Sequence, residues 1–132
     1  MEELWSIENG ANCAANQVLY NLENREIESG LLQWSQQHEI PIMAYSPVDH
    51  GRGLLESATL KKIAKRHEAT AAQIALAWVL RQPGTMAIPK AGGEQHVCDN
   101  ARSIEIKLTN EDLTDLDQEF PPPKFKKSLP ML

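Results

Sequence analysis

The sequence predicts an α/β fold of about three short parallel strands with flanking helices. Three observations predict it. Apolar runs of strand length recur near residues 18–20, 42–45 and 85–89. Between them lie stretches with apolar residues at helical spacing, and helices that separate strands imply crossovers and parallel pairing. Proline and glycine punctuate the junctions, at Pro41, Pro47, Pro83-Gly84 and Gly92-Gly93.

The elements follow in order. Met1, Leu4 and Ile7 stand at helical spacing with no capping residue ahead of them, so the chain is expected to open in mid-helix, as a piece of something longer would. The end of segment 12–20 suits a short buried strand. Residues 28–38 read as a helix with Leu31, Leu32 and Trp34 turned to the core. Pro41 precedes the second strand, Ile42-Met43-Ala44-Tyr45, which stops at Ser46-Pro47.

A polar, glycine-rich loop fills 48–53. Leu60, Ile63 and Ala64 mark the next helix. Thr70 and Gln73 form a capping box for another, whose body of Ile74, Ala75, Ala77, Trp78 and Val79 is apolar enough to be buried. The third strand covers 85–89, and Lys90 stands just past its C-terminal end. A helix is expected from about 94 to 103, and a last one from Thr109, with Asp112 completing its cap. It ends before Pro121-Pro122-Pro123.

A (β/α)8 barrel needs eight strands and about 250 residues. This chain has 132 residues and fewer than half of those strands. The expected architecture is therefore a partial (β/α)8 barrel of the TIM type over residues 1–120, followed by a Pro/Lys-rich tail at 121–132. Three strands leave two open sheet edges, which predicts self-association.

Hydrophobic residues make up 42% of the chain and charged residues 23%, an ordinary globular balance, and the net charge is −5. The basic residues are scattered, which argues against a nucleic-acid surface, since phosphate binding wants a concentrated stripe. The one dense cluster, Lys124 to Lys127, reads as solvation of the tail. Cys13 and Cys98 match no metal-ligand spacing, no apolar run is long enough for a membrane span, and the first residues are acidic where a secretory signal is basic. The expectation is a reduced, cytoplasmic protein with no metal, nucleic-acid or membrane partner.

In parallel α/β folds, ligands sit beyond the C-terminal ends of the strands. Asn16 and Gln17 are amides that suit either a carboxamide or strand-end backbone. Tyr45 is a flat ring for a heterocycle or a core residue, with the Ser46 hydroxyl beside it. Lys90, ahead of Gly92-Gly93 and a helix N-terminus, fits a phosphate or simply faces water.

Taken together, Asn16-Gln17-Val18, Ala44-Tyr45-Ser46-Pro47, Ala72-Gln73-Ile74-Ala75-Leu76-Ala77-Trp78 and Ile88-Pro89-Lys90-Ala91, with His96 and Asn100, resemble the aldo-keto reductase family. The resemblance runs in register from about residue 1 to 120. It implies a TIM-type barrel, NADPH as hydride donor with NADH as an alternative, and reduction of aldehydes or ketones. By the same resemblance Gln17 would bond the nicotinamide carboxamide, with Asn16 beside it, and Tyr45 would stack on the nicotinamide ring. Ser46 and Pro47, with the backbone around Val48, would hold the pyrophosphate. Lys90 would meet phosphate at the adenosine end and Asn100 would contact adenine.

The chain departs from the family pattern in three places. Ala91 stands where a serine or threonine often follows the lysine. His96 stands where an arginine commonly clamps the 2′-phosphate. An imidazole cannot form that bidentate fork and is largely neutral at pH 7, so the preference for NADPH over NADH is expected to weaken. The third departure is an absence. The family's acid–base group is an aspartate, a tyrosine, a lysine and a histidine on earlier strands, and no residue here takes those places. Tyr20 and Tyr45 map elsewhere, and His38, His50, His67 and His96 fall on helices or loops. The expectation is thus a fragment of an NAD(P)H-dependent oxidoreductase that carries cofactor contacts and no catalytic residue. The alternatives are a self-associating partial-barrel binding module or an inactive remnant.

Overall fold

The computed structural model describes residues 1–49 and 53–124. His50, Gly51 and Arg52 of the expected polar loop, and residues 125–132 of the expected tail, lie outside the described residues. The strands are β1 (Asn16–Leu19), β2 (Ile42–Tyr45) and β3 (Thr85–Ala87), all parallel in the order β1-β2-β3. The helices are α1 (Glu2–Ser6), α2 (Leu31–Gln37), α3 (Ala58–Arg66), α4 (Ala71–Leu80), α5 (Glu94–Arg102) and α6 (Asn110–Glu119). The sequence-predicted α/β alternation is the observed one.

Side chains alternate across a strand, so each strand divides its residues between two faces. On β2, Ile42 and Ala44 are buried while Met43 and Tyr45 are only half-buried. Ile42 and Ala44 share a core with Val18 of β1 and with Ile63 of α3, Ile74 and Trp78 of α4, and Leu116 of α6. The opposite face carries Gln17, Leu19, Met43, Tyr45 and Met86, because Gln17 pairs with Met43, Leu19 with Tyr45, and Met43 with Met86. The main core cluster therefore lies on one side of the sheet, although Leu19 on the other face is also buried.

Two helix starts follow the expected caps, and a third is capped by Ser57, which the sequence reading does not single out. The Ser57 side chain accepts from the Leu60 N–H to open α3, and Thr70 with Gln73 and Thr109 with Asp112 form complete capping boxes on α4 and α6. Gly10 permits a close return after α1. A Cβ there would fall 1.7 Å from the Leu4 carbonyl oxygen.

Three expectations shift. The helix expected over 28–38 is a 3-10 turn at Glu26–Ser29 followed by α2. The turn directs Glu28 back to Tyr20 and Arg25 (2.7 and 2.8 Å), contacts that a continuous helix would forfeit. Trp34 stays out of the core. It stacks on His38 with ring centroids 4.1 Å apart, and Trp5 of α1 meets it edge-on at 5.9 Å. The third strand stops at Ala87 rather than 89. The Ile88 N–H still donates to the Ala44 carbonyl at 3.1 Å, but Pro89 has no N–H to extend the ladder.

Candidate functional site

The turn after β2 is the most constrained part of the site. Ser46 adopts a left-handed conformation, φ 49°, which costs a non-glycine residue about 1 kcal/mol. Asn21, fully buried at the end of β1, holds it there. Its Nδ2 donates to the Ser46 carbonyl at 2.9 Å, and the Asp49 N–H donates to the same oxygen at 3.0 Å. The Asn21 Oδ1 in turn accepts from the Glu23 and Asn24 N–H groups at 3.0 and 2.9 Å. One buried amide thus fixes the loops after both β1 and β2. Close by, the Glu23 carboxyl is pushed above its ordinary value by loss of solvent and by the neighbouring Asp49 carboxylate.

Beyond the C-terminal ends of β2 and β3 lies a cavity of about 650 Å³. Ser46, Pro47 and Val48 line it from the β2 side, Lys90 from the β3 side, and His96 and Asn100 from α5. Leu55, Ala72, Ile88 and Pro89 form its apolar wall. Among the described lining residues, Lys90 is the permanent cation. Gln73 fastens α5 to α4, its Nε2 donating to the Asp99 carbonyl at 2.8 Å, and so sets where His96 and Asn100 stand.

The N-terminus of α5 differs from those of α3, α4 and α6. Its N-cap is Gly93, with no side-chain cap hydrogen bond, so the first N–H groups of the helix are left for another acceptor. Among the described residues, nothing lies within 4 Å of where a Cβ at Gly92 or Gly93 would stand. Free N–H groups, the positive end of a helix and a lysine make a setting suited to phosphate.

The other predicted residues are placed differently. Asn16 and Gln17 open β1 rather than ending it, which corrects the expectation of a strand-end pair. They also point to opposite faces: Gln17 lies on the face that carries Tyr45, and Asn16 on the core side. Tyr45 ends β2 opposite Leu19 on the face away from the core. Ala91 lines a neighbouring apolar groove of about 420 Å³ between β3 and α5, which shares Asn100 with the first cavity. The structure therefore gathers Ser46, Pro47, Val48, Lys90, His96 and Asn100, and sets Gln17 and Tyr45 on an adjoining sheet face.

Asn21 was missed by reading the sequence. Its signal was the turn pattern Asn21-Leu22-Glu23-Asn24 at a strand end, where an Asn side chain caps its own loop. Tyr20 is no acid for this site. It is fully buried, its hydroxyl donates to Glu28 at 2.7 Å, and burial pushes its pKa well above the ordinary tyrosine range. Of the histidines, His38 and His67 follow α2 and α3, His96 is in α5, and His50 is outside the described residues. Among the described residues no cluster of three or more His, Cys, Asp or Glu could hold a metal ion, and no helix is long and apolar enough to cross a membrane.

Comparison with known proteins places this geometry. The Aldo/keto reductase family model matches residues 1–119. Methylglyoxal reductase YeaE of Escherichia coli (strain K12) is 48% identical over 136 residues, covering 100% of this chain and 48% of that protein. Glyoxal reductase of Bacillus subtilis (strain 168) is 32% identical over 102 residues, covering 77% of this chain and 36% of its own length. An aldo-keto reductase from Klebsiella pneumoniae, solved in complex with NADPH, superposes with a TM-score of 0.96 at 44% identity, covering 99% of this chain and 48% of the other. The chain spans about half the length of that E. coli reductase, and its three strands and helices are part of a (β/α)8 barrel architecture. With its family model matched almost end to end, the chain belongs to the aldo/keto reductase family.

Proposed function

We propose that this chain carries the cofactor-holding part of an NADPH-dependent reductase of aldehydes or ketones. The observation that supports it is the convergence of Ser46, Lys90, His96 and Asn100 on one cavity at the strand ends, beside an uncapped helix. A relative solved with NADPH and relatives that reduce methylglyoxal or glyoxal agree with it.

The residues present fit the cofactor's chemistry. Lys90 and the α5 N–H groups would hold phosphate at the adenosine end, with Ala91 and His96 beside them and Asn100 at adenine. Ser46, Pro47 and the backbone at Val48 would hold the pyrophosphate. Gln17 would serve the carboxamide and Tyr45 would stack on the nicotinamide, whereas Asn16, on the core side of β1, is not placed to join them. NADH is the alternative ligand. When bound, the cofactor supplies the hydride; the carbonyl oxygen then needs a proton from a positioned acid. The family's acid–base group has no counterpart in this sequence, so the reading gives this chain binding without turnover. The barrel part is assigned to residues 1–120, the tail to 121–132, and the compartment to the cytoplasm.

Titration of NADPH into the chain, followed by nicotinamide fluorescence, tests the reading. Saturable binding is expected, with no oxidation of NADPH when methylglyoxal is added. No change at millimolar protein would sink it.

Self-association is a second proposal, favoured by the exposure of Met86 (40%), Ile88 (41%), Val97 (55%) and Ile104 (74%) near the unpaired edge of β3. Sedimentation should give dimers or larger species, whereas a sharp monomer at high concentration would contradict it. A partial barrel that associates without binding nucleotide would leave the fluorescence unchanged.

A further inference from the structure

We propose that the two ends of the sheet form one divided docking surface whose occupant is a second polypeptide of five parallel strands with their helices, the two chains together closing a (β/α)8 barrel. The proposal rests on the fold and the family and does not depend on the dinucleotide reading.

Burial is complete in the middle of the chain and absent at its ends. The helices α2, α3, α4 and α6 each bury side chains, seven of them in α4. By contrast α1, which leads into β1, and α5, which follows β3, bury none. The large exposed apolar side chains among the described residues divide between the same two places. Leu4 and Ile7 stand at α1, and Met86, Ile88, Val97 and Ile104 stand at β3 and α5. A single binding patch would gather such residues on one surface. Their division between two outer ends is what one arc of a ring of repeating units presents.

The backbone points the same way. In a parallel ladder the N–H and C=O of one residue face the same neighbour, and successive residues alternate. The Asn16 N–H donates to the Pro41 carbonyl at 2.8 Å, so Gln17 and Leu19 turn their backbone groups away from β2. The Ile88 N–H donates to the Ala44 carbonyl at 3.1 Å, so Ala87 turns its N–H and C=O to the open side of β3. An added parallel strand would pair with these groups at either edge. Beside Ala87 runs the apolar groove of about 420 Å³, where the Thr85 hydroxyl is buried without a hydrogen-bond partner.

Strand count selects the occupant. Eight strands close the barrel and three are present, which leaves room for five. A second copy of this chain brings three, so two copies leave a gap and three copies overfill the ring. Copies can pair β3 of one with β1 of the next, but that head-to-tail contact leaves outer edges open. The self-association proposed above uses the same edges in the absence of the five-strand partner and gives way to it.

The test is coexpression of the tagged full chain with the part of methylglyoxal reductase YeaE that this chain does not cover. A one-to-one complex with the mass of a single barrel is expected. Hydrogen exchange at the Gln17, Leu19 and Ala87 amides should slow about tenfold or more relative to the dilute chain, with little change at Val18 and Ile88. Val97→Lys combined with Ile104→Glu should weaken the complex about tenfold, and both positions are exposed, so the chain itself keeps its fold. Recovery of the chain alone, or only with copies of itself, overturns the proposal. If the YeaE part does not fold when made separately, its covalent fusion to this chain decides. A monomeric fusion with those three amides protected upholds the fit, and a fusion that self-associates and leaves them exposed overturns it. A complex that forms yet binds no NADPH upholds the docking and overturns the dinucleotide reading alone.

Discussion

Arg25 and Asp117 stand 92 positions apart in the chain, yet Arg25 Nη1 donates to Asp117 Oδ1 across 2.7 Å. The same nitrogen donates to the Phe120 carbonyl at 2.6 Å, and Nη2 donates to Glu28 Oε2 at 2.8 Å. The guanidinium also lies 4.9 Å from the ring centroid of the buried Trp78, which Arg81 approaches to 3.9 Å. One side chain, only 6% exposed, thus ties the turn after β1 to the core and to the end of α6.

Removing Arg25 strands a carboxylate. Glu28 is 13% exposed and would keep the Tyr20 hydroxyl at 2.7 Å but, as its one cation, only Arg81 at 3.5 Å. Breaking a buried pair from one side costs about 3 kcal/mol, so Arg25→Met should lower unfolding free energy in urea by about that much. Arg25→Lys should recover only part, because an ammonium cannot form the fork. A change below about 0.5 kcal/mol, the scatter expected at an ordinary surface site, would contradict this.

The Asn21 amide predicts a linked loss of stability and binding. Asn21→Ala removes the donor to Ser46 and the acceptor for Glu23 and Asn24, costing about 2 kcal/mol. Dinucleotide affinity should fall as well, because the Ser46 turn loses its brace. Thermal unfolding and NADPH titration read the two effects. A destabilised variant with unchanged affinity would show that the turn does not serve the ligand.

Asp112 predicts a pH dependence. Burial opposes its charge, but the hydrogen bond from His67 Nε2 (2.7 Å), those with Thr109 and the Arg66 guanidinium outweigh it and hold the carboxyl below its usual range. A carboxyl depressed in the folded chain stabilises it above the unfolded value of about 3.9, and that stability is lost as the pH falls through the folded value. Asp112→Ala should therefore be less stable by about 1 kcal/mol at pH 7, the worth of a lost cap, with the gap closing below about pH 4. A gap that stays constant down to about pH 3 would contradict the assignment.

Lys90→Met should weaken NADPH by about fivefold and NADH less, since an exposed cation on a phosphate is worth about 1 kcal/mol. Fluorescence titration of both cofactors measures it. Equal losses for the two would place Lys90 away from the 2′-phosphate.

Much of this was legible from the residues. The capping boxes at Thr70 and Thr109 fixed where α4 and α6 begin, since each motif satisfies its own helix end and needs no distant partner. Ser46 and Lys90 were found as strand-end residues and His96 and Asn100 through the family resemblance, and the fold brings the four together. What escaped depended on contacts far apart in sequence. Glu28 leaves the helical pattern because Tyr20 and Arg25 claim it, and Trp34 stays half-buried because Trp5 and His38 cover it. The facing of Asn16 and Gln17 could be read only once the register with β2 was known, because a shift of one residue exchanges the two faces.

The central claim is that one cavity at the strand ends holds the phosphorylated dinucleotide. Backbone amide shifts in a uniformly 15N-labelled chain, recorded as NADPH is added, test it most directly. The claim predicts saturable shifts concentrated at Ser46, Val48, Lys90, Glu94, His96 and Asn100, with smaller ones at Gln17 and Tyr45. Shifts that scatter over the surface, or that gather elsewhere, such as at α1 and α2, would contradict it.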